Sequence, residues 1–594
     1  MTPLLLWAWL AAHDGVTVVE GNFSPTQGEE RDPSIGVPPE ELLAALPGTS
    51  VARDGGPLAP ARPLLRGLSG ARLQASVVGL SVADPATGFI DAAALPSLLG
   101  ALSSEPGADA AVGGAVRVAR PKDGLRAGVA AGSMSTLRGG LGLSTALPDG
   151  RAFLSVEGGS SAGDFRFRAA SPVAADGNGG DVLVRQNNDQ RRLMATAGAD
   201  LRQGGVGVFA RAFAAGHEGG VPGFFAAPTE GLRQRNALLV GGGGVQVPLS
   251  SLTLRAGVEG AVSQRRTEAT GGRADVLAST RQGAQAQARL RPLSVAGAGT
   301  LDGGVTLQLA RIALQDHPFA RLGASGGVHS SWRMPNLLFR LEGGARAERL
   351  SDVAGPLLGG ELAMVGGPGD LVSLRVARAV RAPTPDELFA PNGFIRGNAA
   401  LRPESVVDVE AGLLLQHRAS PAFEPGVARA RAAFFLSRID DAIVYVNKNA
   451  FEIAPDNTGA AWRLGSELRT MVEPHELLGI DVVAGVLWSR IEATGAALPA
   501  APPWITTLQL RMGEVDGAAL TTVVQGRGGA PTTLFGTLST PAYLLVALRA
   551  RLPLHERLVL GLQVENAFDV LDARDQNGLP LPGRTFTWSL EVRV

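Results

Sequence analysis

The chain contains no cysteine. Disulfides, zinc–thiolate sites and thiol nucleophiles are therefore excluded, while the redox compartment stays open. Lysine is nearly absent: Lys122 and Lys448 are the only two, and arginine carries the remaining positive charge. Aromatics are 5% of the residues, with two tyrosines, Tyr445 and Tyr543, which is thin material for an interfacial aromatic girdle. Charged residues are 18% and the formal net charge is −1, so nothing calls for nucleic acid as a partner. No run of about 18 or more apolar residues occurs, which excludes membrane-spanning helices. A membrane-spanning chain of this composition has to cross as a closed barrel of strands.

Glycine is abundant, at 79 of 594 residues, and so is alternation. From about residue 122 onward, apolar and polar residues alternate between glycine-rich and polar breaks, with no sustained helical period. Phe586, Trp588, Leu590, Val592 and Val594 fall on one strand face, and Thr587, Ser589, Glu591 and Arg593 on the other. The same register recurs at Leu558, Leu560, Leu562 and Val564, at Trp504, Thr506, Leu508, Leu510 and Met512, and at Val372, Leu374 and Val376. One face suits lipid and the other a wet lumen. Roughly 470 residues, at about 21 per strand and connection, give about 22 strands, and even-numbered closure leaves no exposed edge. A barrel of that size has a lumen large enough to need filling.

The filling would come from the N-terminal part. In residues 63–96, PLLRGLSGARLQASVVGLSVADPATGFIDAAALP, Gly67, Gly70 and Gly79 punctuate two short apolar runs, which suits a small mixed sheet with tight turns. This stretch has too little apolar material to bury a core alone. Upstream, Pro38 and Pro39 precede a short helix pattern (Leu42, Leu43, Leu46) that Pro47 and Gly48 stop, with a strand after it. Residues 1–12 resemble a clipped signal peptide without a basic start. Residues 14–20, DGVTVVE, form an acidic-flanked β-branched run that can add to a partner's sheet edge or serve as an ordinary first strand.

Several motifs together resemble the TonB-dependent outer-membrane receptors, the siderophore and cobalamin receptor superfamily. They are the RGL turn at Arg66 and Gly67; the stretch EPGADAAVGGAVRVARP with Pro106, Gly107, Gly113 and Gly114; and residues 381–413, through Arg381, Pro383, Leu388, Asn398, Leu401, Pro403, Glu404, Glu410 and Gly412. The C-terminal stretch adds Asn566, Phe568, Asp569, Pro582, Gly583 and Arg584, and the strands FFLSRIDDAIVYV and GSELR lie between. Departures are Val78–Gly79 where a DG turn is usual, a missing lead-in before Gly113, and Val594 where an aromatic terminus is usual.

The resemblance implies an all-β fold: a large antiparallel transmembrane β-barrel of residues 122–594, with a small α/β N-terminal plug domain inside its lumen, residues 13–121 comprising TonB box and plug. It assigns Val16, Thr17, Val18 and Val19 to the TonB box and Arg66, Gly67, Gly113 and Gly114 to the plug motif. Arg66 and Gly67 are expected to serve the plug's internal architecture. The loop of Asp84, Thr87 and Phe89 is expected to face incoming ligand, as are Phe394, Arg396, Asn398, Asn447 and Asn457 in outer loops. The implied function is energised uptake of a scarce large ligand, such as an iron–siderophore, cobalamin or another metal chelate. The implied partners are TonB with ExbB and ExbD and the bacterial outer-membrane lipid, around a monomer. The alternative to this leading reading is a transport-deficient plugged barrel acting as a surface scaffold or receptor, to which the eroded motifs and the weak signal peptide lend some weight.

Enzymatic signals are poor. The seven histidines are scattered with no H-x-x-x-H pair, and Gly159, Ser161 and Gly163 form a G-x-S-x-G inside hairpin-like alternation where no nucleophile elbow can form. No Walker A motif occurs, and the Gly241–Gly244 run reads as barrel wall. The expectation is no enzyme and no cofactor. Asp176, Asn178 and Asp181 offer calcium fewer than the six or more oxygens it prefers, so a hairpin tip is the favoured reading there.

Overall fold

The computed structural model describes residues 34–53, 55–106, 114–169, 180–224, 227–228, 231–269, 274–295, 299–315, 317–333, 339–366, 371–390, 396–418, 427–449, 452–533 and 535–594. The alternation produces a closed barrel of 22 antiparallel strands, from Gly124–Gly132 to Thr585–Arg593. These two pair directly, Leu590 opposite Val129, so the wall has no free edge.

On Thr585–Arg593, Phe586 and Trp588 are 55% and 46% exposed, while Ser589 and Glu591 are buried. Val372, Leu374 and Val376 are likewise exposed, with Ser373 buried between them. Leu193, Val258, Leu307, Leu362 and Phe434 continue this apolar exterior. Glu157, Arg192, Arg211, Glu410, Arg463 and Glu467 are buried within. Apolar residues outside and charged residues inside invert the pattern of a soluble domain. Connections at one end of the barrel are short: Gly204 and Gly205 alone join Gln190–Gln203 to Val206–Gly220. At the other end two of the longer connections carry structure of their own among the described residues. Residues 382–403 carry the helix Pro385–Phe389, and residues 441–460 carry the paired segments Ile443–Asn449 and Glu452–Asn457.

The N-terminal elements sit against the inner wall. They are α1 (Pro39–Ala44), β1 (Thr49–Arg53), β2 (Ala61–Leu65), β3 (Leu73–Val77), β4 (Leu80–Ser81), β5 (Leu102–Pro106) and β6 (Gly114–Val118). Pro39 at the first position starts α1 and Leu43 buries its apolar side. β1 and β2 form one antiparallel pair, and the order β4-β3-β6-β5 makes a separate sheet with β3 and β6 parallel. Leu43, Leu65, Val77, Ile90, Leu99 and Val116 share one core with Phe153, Phe213, Val240 and Ala261 of the barrel. The shortage of apolar material seen in the sequence is thus made up by the wall, and the small sheet buries its core only in place.

The β3–β4 turn is Val78–Gly79, with φ of 45° and 85°, the two-residue pattern of a tight hairpin. A β-branched residue is costly there. Two hydrogen bonds hold it: Val78 N donates to Val118 O (2.9 Å), and Val78 O accepts from Arg211 Nη1 (2.5 Å).

Candidate functional site

Two arginines tie the N-terminal domain to the wall. Arg66 follows β2 at φ 49°, and Gly67 at φ 77° completes the turn. Arg66 Nε and Nη2 donate to the two carboxylate oxygens of Glu467 (2.8 and 3.0 Å), and Nη1 donates to Glu410 Oε2 (2.7 Å). Its guanidinium carbon lies 4.2 Å from the centre of the Phe435 ring, and its carbonyl accepts from Arg463 Nη1 (3.0 Å). Burial works against the charge of Arg66, but Glu467 and Glu410 outweigh it and raise the pKa, so the group stays protonated. Arg72 makes a second fork on Glu404, at 2.7 Å through each nitrogen. Arg66 therefore reaches out to the wall, where an internal architectural role was expected. Gly67 lies against the same wall, since a Cβ there would meet Ala501 Cβ at 2.9 Å and Leu487 Cδ2 at 3.0 Å.

The loop of residues 84–89 packs beside the segment that carries Arg72, since a Cβ on Gly88 would meet Ala71 Cβ at 2.6 Å. Asp84 Oδ1 accepts from Ala86 N (2.9 Å), Thr87 N (2.9 Å) and Thr87 Oγ1 (3.0 Å), and Phe89 N donates to Thr87 Oγ1 (3.0 Å). The sequence DPATGF thus folds on itself as an Asx-type turn. Above it, the helix Pro385–Phe389 is docked by Asp386 N to Ala86 O (3.0 Å), and Phe389 stacks on His317 at 4.6 Å. That helix is locally encoded: Thr384 and Glu387 form a capping box behind Pro385, and Arg381 pairs with Glu387 at 2.8 Å.

Asp84 lines two cavities of about 410 Å³ each. One runs along β3 and β6 towards Arg281 and Arg321. The other is lined by Asp84, Thr87 and Phe89 and by a row of wall residues, Arg192, His217, Asn236 and Arg265. These four are consecutive register partners on neighbouring strands, so they stand at one height. Arg192 is held by Asp91 (2.8 Å) and Arg265 by Asp386 (3.1 Å).

The other expected positions are distributed differently. The side chain of Asn398 donates to Pro455 O (3.1 Å) and accepts from Ala400 N (3.0 Å). Asn457 donates to Asp441 O (2.8 Å) and accepts from Arg402 N (2.8 Å). Both amides are occupied in joining outer loops. Arg396 is exposed, its backbone N–H on Ile453 O (2.9 Å). Gly114 begins β6. Val16, Thr17, Val18, Val19, Gly113, Phe394, Asp176 and Asn178, and the side chain of Asn447, lie outside the described residues. Among the described residues no group of three or more His, Cys, Asp or Glu is placed to hold a metal ion.

The wall partners Glu467, Arg192, His217, Asn236 and Arg265 escaped the sequence reading as site residues. Their available signal is a polar side chain at an inward position of an alternating strand, which marks every lumen residue alike.

Residues 339–567 match the model of the TonB dependent receptor-like β-barrel family. Comparison by sequence with curated proteins returns no match. In fold, the chain is similar to the copper transporter OprC (17% identity over 96% of this chain and 97% of that one, TM-score 0.72). It is also similar to a double mutant of the Serratia marcescens hemophore receptor HasR in complex with HasA and heme (15% identity, 94% and 96%, 0.74). A third is the FrpB iron transporter from Neisseria meningitidis (14% identity, 97% and 100%, 0.72). Residues 339–567 are thus similar in sequence to the TonB dependent receptor-like β-barrel family, and the whole chain shares the fold of these solved receptors and transporters.

Proposed function

We propose that the protein is an outer-membrane importer that takes up a scarce metal chelate, such as an iron–siderophore or cobalamin, on energy delivered by TonB with ExbB and ExbD. The observation that carries this reading is the N-terminal domain held in the lumen by Arg66 between Glu410 and Glu467. A solute cannot diffuse through such a barrel as through a porin; work has to be done on these contacts first. The apolar exterior and charged interior support an outer-membrane position, and the cavities beside Asp84 are where a ligand would be captured from the side of the long loops. No bond of the ligand is made or broken in this cycle, so the protein acts as a transporter, as a monomer.

Deleting residues 14–20 tests the reading. Energised uptake of chelated metal into cells should be lost, while binding of the same chelate at the cell surface is kept. Equal loss of both would remove residues 14–20 from the energy-coupling role. A deletion strain that grows normally on limiting iron and cobalamin would point to the surface scaffold instead.

A further inference from the structure

Five outward positions on neighbouring strands stand in direct register near the barrel end that carries residues 382–403 and 441–460. They are Arg378, Val407, Arg438, Trp462 and Arg490. The three arginines are exposed, each between less exposed neighbours that point into the lumen. Directly below them the same faces continue as the exposed Val376, Val409, Leu436, Leu464 and Trp488. At the opposite ends of these strands the outward positions turn apolar, with Val372, Leu415 and Ile480. The arginines thus mark one rim of the apolar belt, where a lipid-facing arginine costs far less than at the middle of the belt.

The row is charged and open to an anion. Arg438 Nε donates to Asp440 Oδ1 (2.9 Å), and both terminal nitrogens of Arg438 are left without a hydrogen-bond partner among the described residues. Trp462 Nε1 donates to Glu492 Oε1 (2.6 Å), and the Arg438 guanidinium carbon lies 5.1 Å from the indole centre, so the ring is held in place from two sides. Arg378 and Arg490, at the two ends, make no ion pair or side-chain hydrogen bond among the described residues. Arg378 and Arg438 are two strands apart, as are Arg438 and Arg490, which sets each pair about 10 Å apart by the spacing of strands. That spacing suits phosphates at the two ends of a small sugar headgroup better than one compact anion.

We propose that this row binds the headgroup of a bis-phosphorylated glycolipid of the surrounding leaflet. The sugar rests against Trp462, one phosphate takes Arg490, the other sits between Arg438 and Arg378, and the acyl chains run down the belt below. Guanidinium forks match phosphate oxygens, and an aromatic fixed at the rim presents an apolar wall beside polar partners. A soluble protein would meet a rim that continues into lipid, and free phosphate would gain nothing from Trp462 or from the belt. The inference rests on the outer-membrane position proposed above and is independent of which ligand is imported.

The test titrates the purified full-length protein in detergent with bis-phosphorylated lipid A, read by native mass spectrometry. Wild type should bind it about tenfold or more tightly than the doubly dephosphorylated form, through its charge-assisted contacts. Excess inorganic phosphate should not displace it. Arg378→Gln combined with Arg438→Gln and Arg490→Gln should bind both forms alike, and Trp462→Leu should weaken both by a similar factor. Arg402→Gln, in an exposed outer-loop pair, should behave as wild type. Unchanged heat-modifiability on gels shows that each variant is folded. A triple variant that keeps the wild-type preference would overturn the site. Displacement by inorganic phosphate would reduce it to a simple anion site, and equally tight binding of phosphatidylglycerol would reduce it to general attraction of anionic lipid; either result overturns the proposal. If the preference and its loss hold but cell fractionation finds the protein outside the outer membrane, the site stands and the membrane position falls.

Discussion

Arg66 and Glu467 are 401 positions apart in sequence and share a two-pronged bond at 2.8 and 3.0 Å inside the barrel. Removing one partner of a buried pair leaves an uncompensated charge, at a cost of about 3–5 kcal/mol, whereas replacing all members together costs far less. Glu467→Ala should therefore lower the melting temperature in calorimetry more than Arg66→Met combined with Glu410→Gln and Glu467→Gln. Equal or greater loss in the combined variant would show that the clamp contributes net stability.

Gly67 and Gly70 both have positive φ, at 77° and 65°, but only Gly67 has wall atoms where a Cβ would sit. Gly70→Ala should cost about 1–2 kcal/mol from backbone strain. Gly67→Ala should add about 1–3 kcal/mol from overpacking on Ala501 and Leu487. Thermal denaturation ranks the two, and a reversed order would contradict the close approach of the turn to the wall.

Leu307 is 58% exposed on the outer face of Gly299–Leu314. Leu307→Arg should reduce the stability of the barrel refolded in lipid vesicles by about 2–4 kcal/mol, and Leu307→Phe should be nearly neutral. Equal stability of the two variants in vesicles would argue against lipid contact at this face.

Burial raises the pKa of the Asp386 carboxyl, and Asp84 and Glu387 add to the shift against the opposing charge of Arg265. A carboxyl whose folded value lies above its unfolded value binds protons on folding. Its contribution is full below the unfolded value, about 3.9, and is lost as pH rises through the raised folded value. Docking of the helix Pro385–Phe389 on Ala86 should therefore loosen as the pH rises from about 4 through the raised folded value. Hydrogen-exchange protection of residues 385–389, corrected for intrinsic rates, measures this. Asp386→Asn should flatten the dependence, and an unchanged profile in that variant would assign it elsewhere.

Much of the architecture was legible because the strand period is two. The alternation at Phe586, Trp588 and Ser589 marks inside and outside without any tertiary information, and repeated through the chain it gives the strand number. The loop of Asp84 was legible as a loop through the family resemblance, whereas its Asx-type turn emerged from the hydrogen bonds to Asp84 Oδ1. The row Arg192, His217, Asn236, Arg265 was not, because barrel register alone brings residues on four strands to one height. Asn398 and Asn457 looked like ligand contacts because exposed amides in long loops suit that role, yet they are spent on holding loops together. Arg66 looked internal because the acceptors that claim it belong to strands more than 340 positions away.

The placement of Arg66 directly after β2 has a mechanical consequence. If tension enters from the N-terminal side, it reaches the β1–β2 pair at its open end, where Arg66 N bonds to Gly48 O (2.7 Å) and Thr49 opposes Leu65. Loaded in that direction, the pair peels one rung at a time, at low force, while the separate sheet of β3 to β6 bears no load. The next element in series is the Arg66 fork, whose bonds with Glu410 and Glu467 share the strain in parallel and must fail together. The plug would thus yield in two stages: a soft extension that takes up slack, then a stiff catch.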